Sequence, residues 1–165
     1  MTDTTFTPDA MDNRAFRDAL GCFATGVTIV TIQSGHGPMG FTANSFASLS
    51  MDPPLVLWSP ARASSRFDHF ASARNYTIHV LAHDQAKLIA RFIRGGPGFD
   101  GLSYHRNAEG VPLLAGALAR FDCEQHATHD GGDHLIVVGR VLRCTKRETA
   151  PLVFTQGQYG GFTAN

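Results

Sequence analysis

Apolar positions recur along this chain in two periods, and the longer period comes first. Phe16, Ala19, Leu20 and Phe23 are three and four residues apart, which predicts a helix over about residues 11–22 with one apolar face. Asp12 can cap its start, and Gly21 and Gly26 help to end it. From Val27 the pattern becomes a β-branched run, predicting a strand over 27–33. Ser34-Gly35-His36-Gly37-Pro38 is a turn signal, and 39–42 returns to complete a hairpin. Residues 44–50 cross over, and Asp52-Pro53-Pro54 leads in extended form into a short, central apolar strand at 55–59. A helix over 65–73 turns Phe67, Phe70 and Ala71 inward. In the strand 75–82, Tyr76, Ile78 and Val80 alternate with Thr77 and His79. Asp84 caps a helix over 85–93 that faces the core with Leu88, Ile89, Phe92 and Ile93. The strongest hairpin pairs a strand over 117–127 with one over 135–143 across a turn at 130–133. A last short strand at 151–155 precedes a Gly-rich tail.

Six or seven strands joined mostly by tight turns, with two or three added helices, make this a mainly β chain. An antiparallel barrel that closes its own edges is the expected architecture. The length of 165 residues suits one domain over 11–165 behind a loosely attached segment 1–10.

Composition narrows the function classes. Fourteen basic residues balance fourteen acidic ones, so the basic footprint of a nucleic-acid binder is missing. No apolar run approaches the roughly 20 residues of a membrane span. The first twelve residues are polar and acidic, without a signal-peptide pattern, and a cytoplasmic location is expected. Cys22, Cys123 and Cys144 are odd in number and widely spaced, which argues against disulfides and zinc; each is expected in the core. The eight histidines are scattered without metal-ligand spacing, so no metal is expected.

Two stretches carry candidate chemistry. In Gly40–Ser48, the short polar residues Thr42, Asn44, Ser45 and Ser48 alternate with Phe41, Ala43, Phe46 and Ala47. Such residues offer donors and acceptors close to the backbone, and an Asn amide can match a donor–acceptor ring edge. They also suit a loop that satisfies its own backbone. In the second stretch, Ser59, Arg62, Ser64, Ser65 and Arg66 lead into the predicted helix at 65. Hydroxyls and guanidinium groups there suit a phosphate, and Ser64 equally suits ordinary capping. Arg91 and Arg94 are either solvated or within reach of the same anion. The Gly95–Gly101 run is neither a P-loop nor a Rossmann fingerprint. There is no G-x-S-x-G elbow, no H-E-x-x-H and no evident Cys–His pair.

Three blocks stand in a telling order: Phe23-Ala24-Thr25-Gly26-Val27, then Gly40-Phe41-Thr42-Ala43-Asn44-Ser45-Phe46-Ala47-Ser48 running on through Asp52-Pro53-Pro54-Leu55-Val56, then Gly132-Asp133-His134. From about Phe16 to Tyr159 the chain resembles the short-chain flavin reductases, the reductase components of two-component flavin monooxygenases. The resemblance implies the FMN-binding split barrel, a six- to seven-stranded antiparallel Greek-key barrel, as a homodimer with flavin sites at the subunit interface. It implies an NAD(P)H:flavin oxidoreductase that passes hydride to FMN or FAD from NADH or NADPH and supplies a partner monooxygenase. On this resemblance Thr42, Ala43, Asn44 and Ser45, with Ser48 nearby, hold the isoalloxazine and ribityl. Ser59, Arg62, Ser64 and Ser65 hold the tail and phosphate, joined by Arg91, and His134 assists nicotinamide placement. Tyr159 matches an aromatic near the ligand or dimer interface. The alternative is a non-catalytic electron carrier or flavin store on the same fold.

Overall fold

The computed structural model describes residues 3–8 and 13–164. The predicted first turn of the leading helix, with Asp12, and part of the 1–10 segment lie outside the described residues. In chain order the elements are α1 (Asn13–Gly21), β1 (Thr25–Gly26), β2 (Thr28–Ser34), β3 (Gly37–Ala43), β4 (Ala47–Ser50) and β5 (Leu55–Trp58). Then come α2 (Phe67–Ala71), β6 (Asn75–Val80), a 3-10 turn (His83–Gln85) and α3 (Ala86–Ile89). The chain finishes with β7 (His105–Arg106), β8 (Pro112–Leu113), β9 (Ala119–Gly131), β10 (His134–Lys146), β11 (Val153–Thr155) and β12 (Gln158–Gly160).

The main sheet has seven antiparallel strands in the order β3-β2-β6-β9-β10-β5-β4. Flat, such a sheet would hold β3 and β5 about 24 Å apart, at roughly 4.8 Å per strand step. Instead the rings of Phe41 on β3 and Trp58 on β5 meet edge to face at 5.7 Å, and Phe70 of α2 touches both. The sheet is therefore rolled into a barrel. Its interior holds Val30, Ile32, Val56, Trp58, Phe70, Tyr76, Ile78, Cys123 and Val137.

A second core lies outside the barrel, where Val27, Ile29, Leu81, Ile89, Phe92, Phe99, Leu114 and Leu152 pack together. This explains why β2 is buried on both faces over Thr28–Ile32. It also corrects the alternation expected for β6. Thr77 and His79 are as buried as Tyr76 and Ile78, because the 105–114 segment covers the outer face. The His79 Nδ1–H donates to the Ile29 carbonyl at 3.1 Å, and its Nε2 accepts from the Leu114 N–H at 3.1 Å.

Several expectations change. The apolar face of α1 does not reach the core: Leu20 is 59% exposed and Phe23 78%. The aromatic core is complete without them, and α1 lies beside a small β1-β11-β12 sheet, the Gln156 N–H bonding the Gly21 carbonyl at 2.7 Å. Cys22 and Cys144 are exposed, leaving only Cys123 in the core. Asp84 does not cap a helix; the Gln85 side chain accepts from the Ala82 N–H, and Asp84 faces Arg147. Residues 47–50 form an edge strand rather than a crossover, and β7, β8 and β12 are short strands that periodicity did not show.

Candidate functional site

Three adjoining cavities run along one end of the barrel, and β3 with the loop after it forms their common wall. Thr42 and Ile93 line the first and third, while Asn44 and Phe154 line the second and third. The first measures about 460 Å³ and the second about 980 Å³. Both fall in the roughly 300–1,000 Å³ range of small-molecule sites.

The first cavity carries the polar groups suited to an anion. Ser64, Ser65, Arg66 and Arg94 line it together with Phe41, Thr42 and Gly95-Gly96. Ser64 Oγ accepts the Arg66 N–H at 3.2 Å, a turn contact rather than a helix cap. The half-buried Arg66 guanidinium donates to the carbonyls of Gly40 at 2.6 Å and Phe92 at 2.9 Å, and its Cζ lies 4.9 Å from the Phe41 ring centroid. Burial lowers its pKa, so neighbouring negative charge is favourable there. Among the described residues, no acid or carbonyl takes up the Arg94 guanidinium. Two arginines, two serines and glycine backbone are groups that suit an anion such as a phosphate.

The second cavity has a mixed wall of Leu20, Cys22, Phe23, Thr25, Asn44, His134, Phe154 and Gln156. Thr25 Oγ1 is buried without a hydrogen-bond partner among the described residues. Among the described residues the Asn44 amide has no partner either, and it stands where the second and third cavities meet. An unpartnered amide beside the apolar Leu20, Phe23 and Phe154 suits a planar ring system with hydrogen-bonding edges. The His134 ring enters this cavity from the start of β10, its Nδ1 2.7 Å from an Asp133 carboxylate oxygen. Because a carboxylate only accepts, Nδ1 carries the proton and Nε2 is the free edge. The contact with His134 lowers the Asp133 pKa.

The remaining expected residues divide. Thr42 and Ala43 line the cavities, Thr42 anchored through its N–H to the Phe92 carbonyl and Ala43 through its carbonyl to Thr28 Oγ1. Ser45 Oγ is occupied by the Ser59 main chain, accepting from its N–H at 2.9 Å and donating to its carbonyl at 3.3 Å. Ser45 and Ser59 therefore pin the wall rather than line it. Ser48 lies exposed on edge strand β4 and lines none of the three cavities. Arg62 turns away to the β9–β10 hairpin. Arg91 donates to the carbonyls of Gly98 and Asp100, bracing the Gly-rich loop, so Arg94 and not Arg91 faces the first cavity. The sequence reading raised Arg66 and Arg94 as candidates for an anion but assigned the tail to Arg62 and Arg91, and it missed Thr25 as a wall residue. Thr25 stood inside one of the three blocks, and Arg66 ends the Ser/Arg run. Among the described residues no three His, Cys, Asp or Glu side chains gather for a metal, and no helix is long and apolar enough to cross a membrane.

Comparison with known proteins identifies the family. Residues 20–163 match the flavin reductase like domain family. The NADH-dependent FMN reductase SmoA of Agrobacterium fabrum is 54% identical over 158 residues, which is 96% of this chain and 91% of that protein. HsaB, the reductase subunit of a flavin-dependent monooxygenase from Rhodococcus jostii, is 42% identical over 93% of this chain and 80% of its own. Among solved structures, the NADH:FAD oxidoreductase SgcE6 of Streptomyces globisporus C-1027, in complex with NAD and FAD fragments, has a TM-score of 0.88 at 33% identity. It covers 96% of this chain and 98% of its own. The rolled seven-stranded sheet is thus the split barrel of these reductases, and the chain belongs to the flavin reductase like domain family.

Proposed function

We propose that this chain is an NADH-dependent flavin reductase that reduces FMN or FAD and supplies the reduced flavin to a partner monooxygenase. The observation that carries the reading is the groove itself: an unpaired Asn44 amide at its centre, Arg66 and Arg94 at one end and His134 at the other. The names of SmoA and SgcE6 support NADH over NADPH as donor, and that of HsaB supports the monooxygenase partner.

Nicotinamide and flavin, bound together, would supply the hydride chemistry, so no protein nucleophile is required. The protein's task is placement and electrostatics. Asn44 matches the donor–acceptor edge of the ring, with the Thr42 and Ala43 backbone alongside. Ser64, Ser65, Arg66 and Arg94 balance the phosphate. Leu20, Phe23 and Phe154 supply the apolar part of the second cavity's wall, against which a ring face would pack. His134 places the nicotinamide through its free Nε2. The exposed apolar face of α1 borders the same cavity, which supports a homodimer in which a second copy covers it. FMN binding by fluorescence titration tests the site. Asn44→Ala is expected to weaken binding about tenfold, the worth of one or two hydrogen bonds. Unchanged affinity in that variant removes Asn44 from the site.

A further inference from the structure

Arg62 sits two residues before Ser64, where a guanidinium invites assignment to the phosphate. Its bonds lead elsewhere. The Arg62 main-chain N–H donates to the Asp133 carbonyl at 2.9 Å. Its side chain reaches the same hairpin tip, Nε donating to the Gly132 carbonyl at 3.1 Å and an η nitrogen to Asp130 Oδ1 at 2.7 Å. Cζ rests 5.5 Å from the Phe67 ring centroid, which steadies the fork from the opposite side. Just before Arg62 in the chain, Ala61 bridges to His134 and the Leu135 N–H donates to the Pro60 carbonyl at 3.1 Å. All these contacts land within 130–135, the tip that carries His134. Gly132 turns that tip with a φ of +72°, a conformation with little intrinsic stiffness. Arg62 itself lines none of the three cavities.

We propose that Arg62 is a positioning residue for the nicotinamide half of the site: its fork across Asp130 and the Gly132 carbonyl holds the hairpin tip, and through it the His134 imidazole, at the second cavity. The inference rests on the flavin-reductase reading and extends it, moving Arg62 from the flavin tail to the nicotinamide side. A fork is needed because two acceptors on different residues are engaged at once, which a lysine cannot reproduce.

The test compares wild type, Arg62→Ala, Arg62→Lys, Asp130→Ala and the Arg62→Ala/Asp130→Ala double variant. In Arg62→Ala the KM for NADH rises about threefold to tenfold while the Kd for FMN stays within about twofold. Arg62→Lys recovers only part of the loss. Asp130→Ala moves the same parameter, and the double variant adds little, as coupled residues should. His134 imidazole signals in NMR, recorded without substrates, shift in Arg62→Ala. A raised FMN Kd with unchanged NADH KM returns Arg62 to the phosphate and overturns the proposal. Unmoved His134 signals overturn it too, whether or not the protein turns over. A wild-type protein that ignores NADH sinks the reductase reading instead.

Discussion

The Phe92 ring lies so close to the backbone of Gly40 that a β-carbon at position 40 would stand 2.2 Å from Phe92 Cδ1. Phe92 is fully buried and has no space to swing away. The same two residues present their carbonyls to Arg66, and the Phe92 carbonyl also receives the Thr42 N–H at 3.2 Å. One close approach thus sets the wall on which the first cavity is built. Gly40→Ala is expected to destabilise the protein by about 1–3 kcal/mol, the usual cost of overpacking, and to weaken FMN binding with it. Denaturant unfolding and FMN titration read the two effects.

Arg94 offers a cleaner probe of the anion end, because it is exposed and its loss leaves no buried group unpaired. Arg94→Ala is expected to weaken FMN about tenfold, the worth of one charge-assisted bond, with riboflavin binding unchanged. Equal weakening of both flavins would place Arg94 away from the phosphate.

His79 makes a pH prediction. Burial lowers its pKa from 6.5 to about 4, the Ile29 carbonyl opposing this and Arg120 adding to it. The folded state therefore keeps His79 neutral where the unfolded chain is already protonated. Below pH 6.5 the unfolded state binds the extra proton, so stability falls as pH drops from about 6.5 to about 4 and levels off beneath. The full effect is about 3 kcal/mol at most, from 1.36 kcal/mol per pKa unit. Urea unfolding between pH 7 and 4 measures the slope, which a His79→Gln variant should flatten.

Ser45 joins the loop after β3 to the end of β5 through two bonds to the Ser59 main chain. Ser45→Ala is expected to cost about 1 kcal/mol of stability. It should also loosen FMN binding modestly, because Asn44 is its neighbour. Paired unfolding and titration measurements separate the two.

The sequence showed most of the barrel and half of the site, and the difference has a physical origin. Strands β2, β3, β9 and β10 were legible because β-branched runs and turn residues act locally. β6 was misread because alternation reports one buried face, and this strand has two. The period of α1 was real, but a period cannot say whether its apolar face meets a core or remains exposed. Thr42, Ala43 and Asn44 were reachable through their block. Arg91 and Arg94 both follow the end of α3, and the Gly98 and Asp100 carbonyls that engage Arg91 leave Arg94 to line the cavity, which spacing along the chain does not show. Arg62 and Ser45 carry polar groups of the right kind that tertiary partners have already taken.

NADH oxidation by the purified protein, followed with and without added FMN or FAD, tests the central claim most directly. Consumption of NADH that depends on added flavin, and is lost in Asn44→Ala at low flavin, is the expected result. A protein that binds flavin yet leaves both NADH and NADPH untouched would contradict the reductase assignment and leave a flavin carrier on the same barrel.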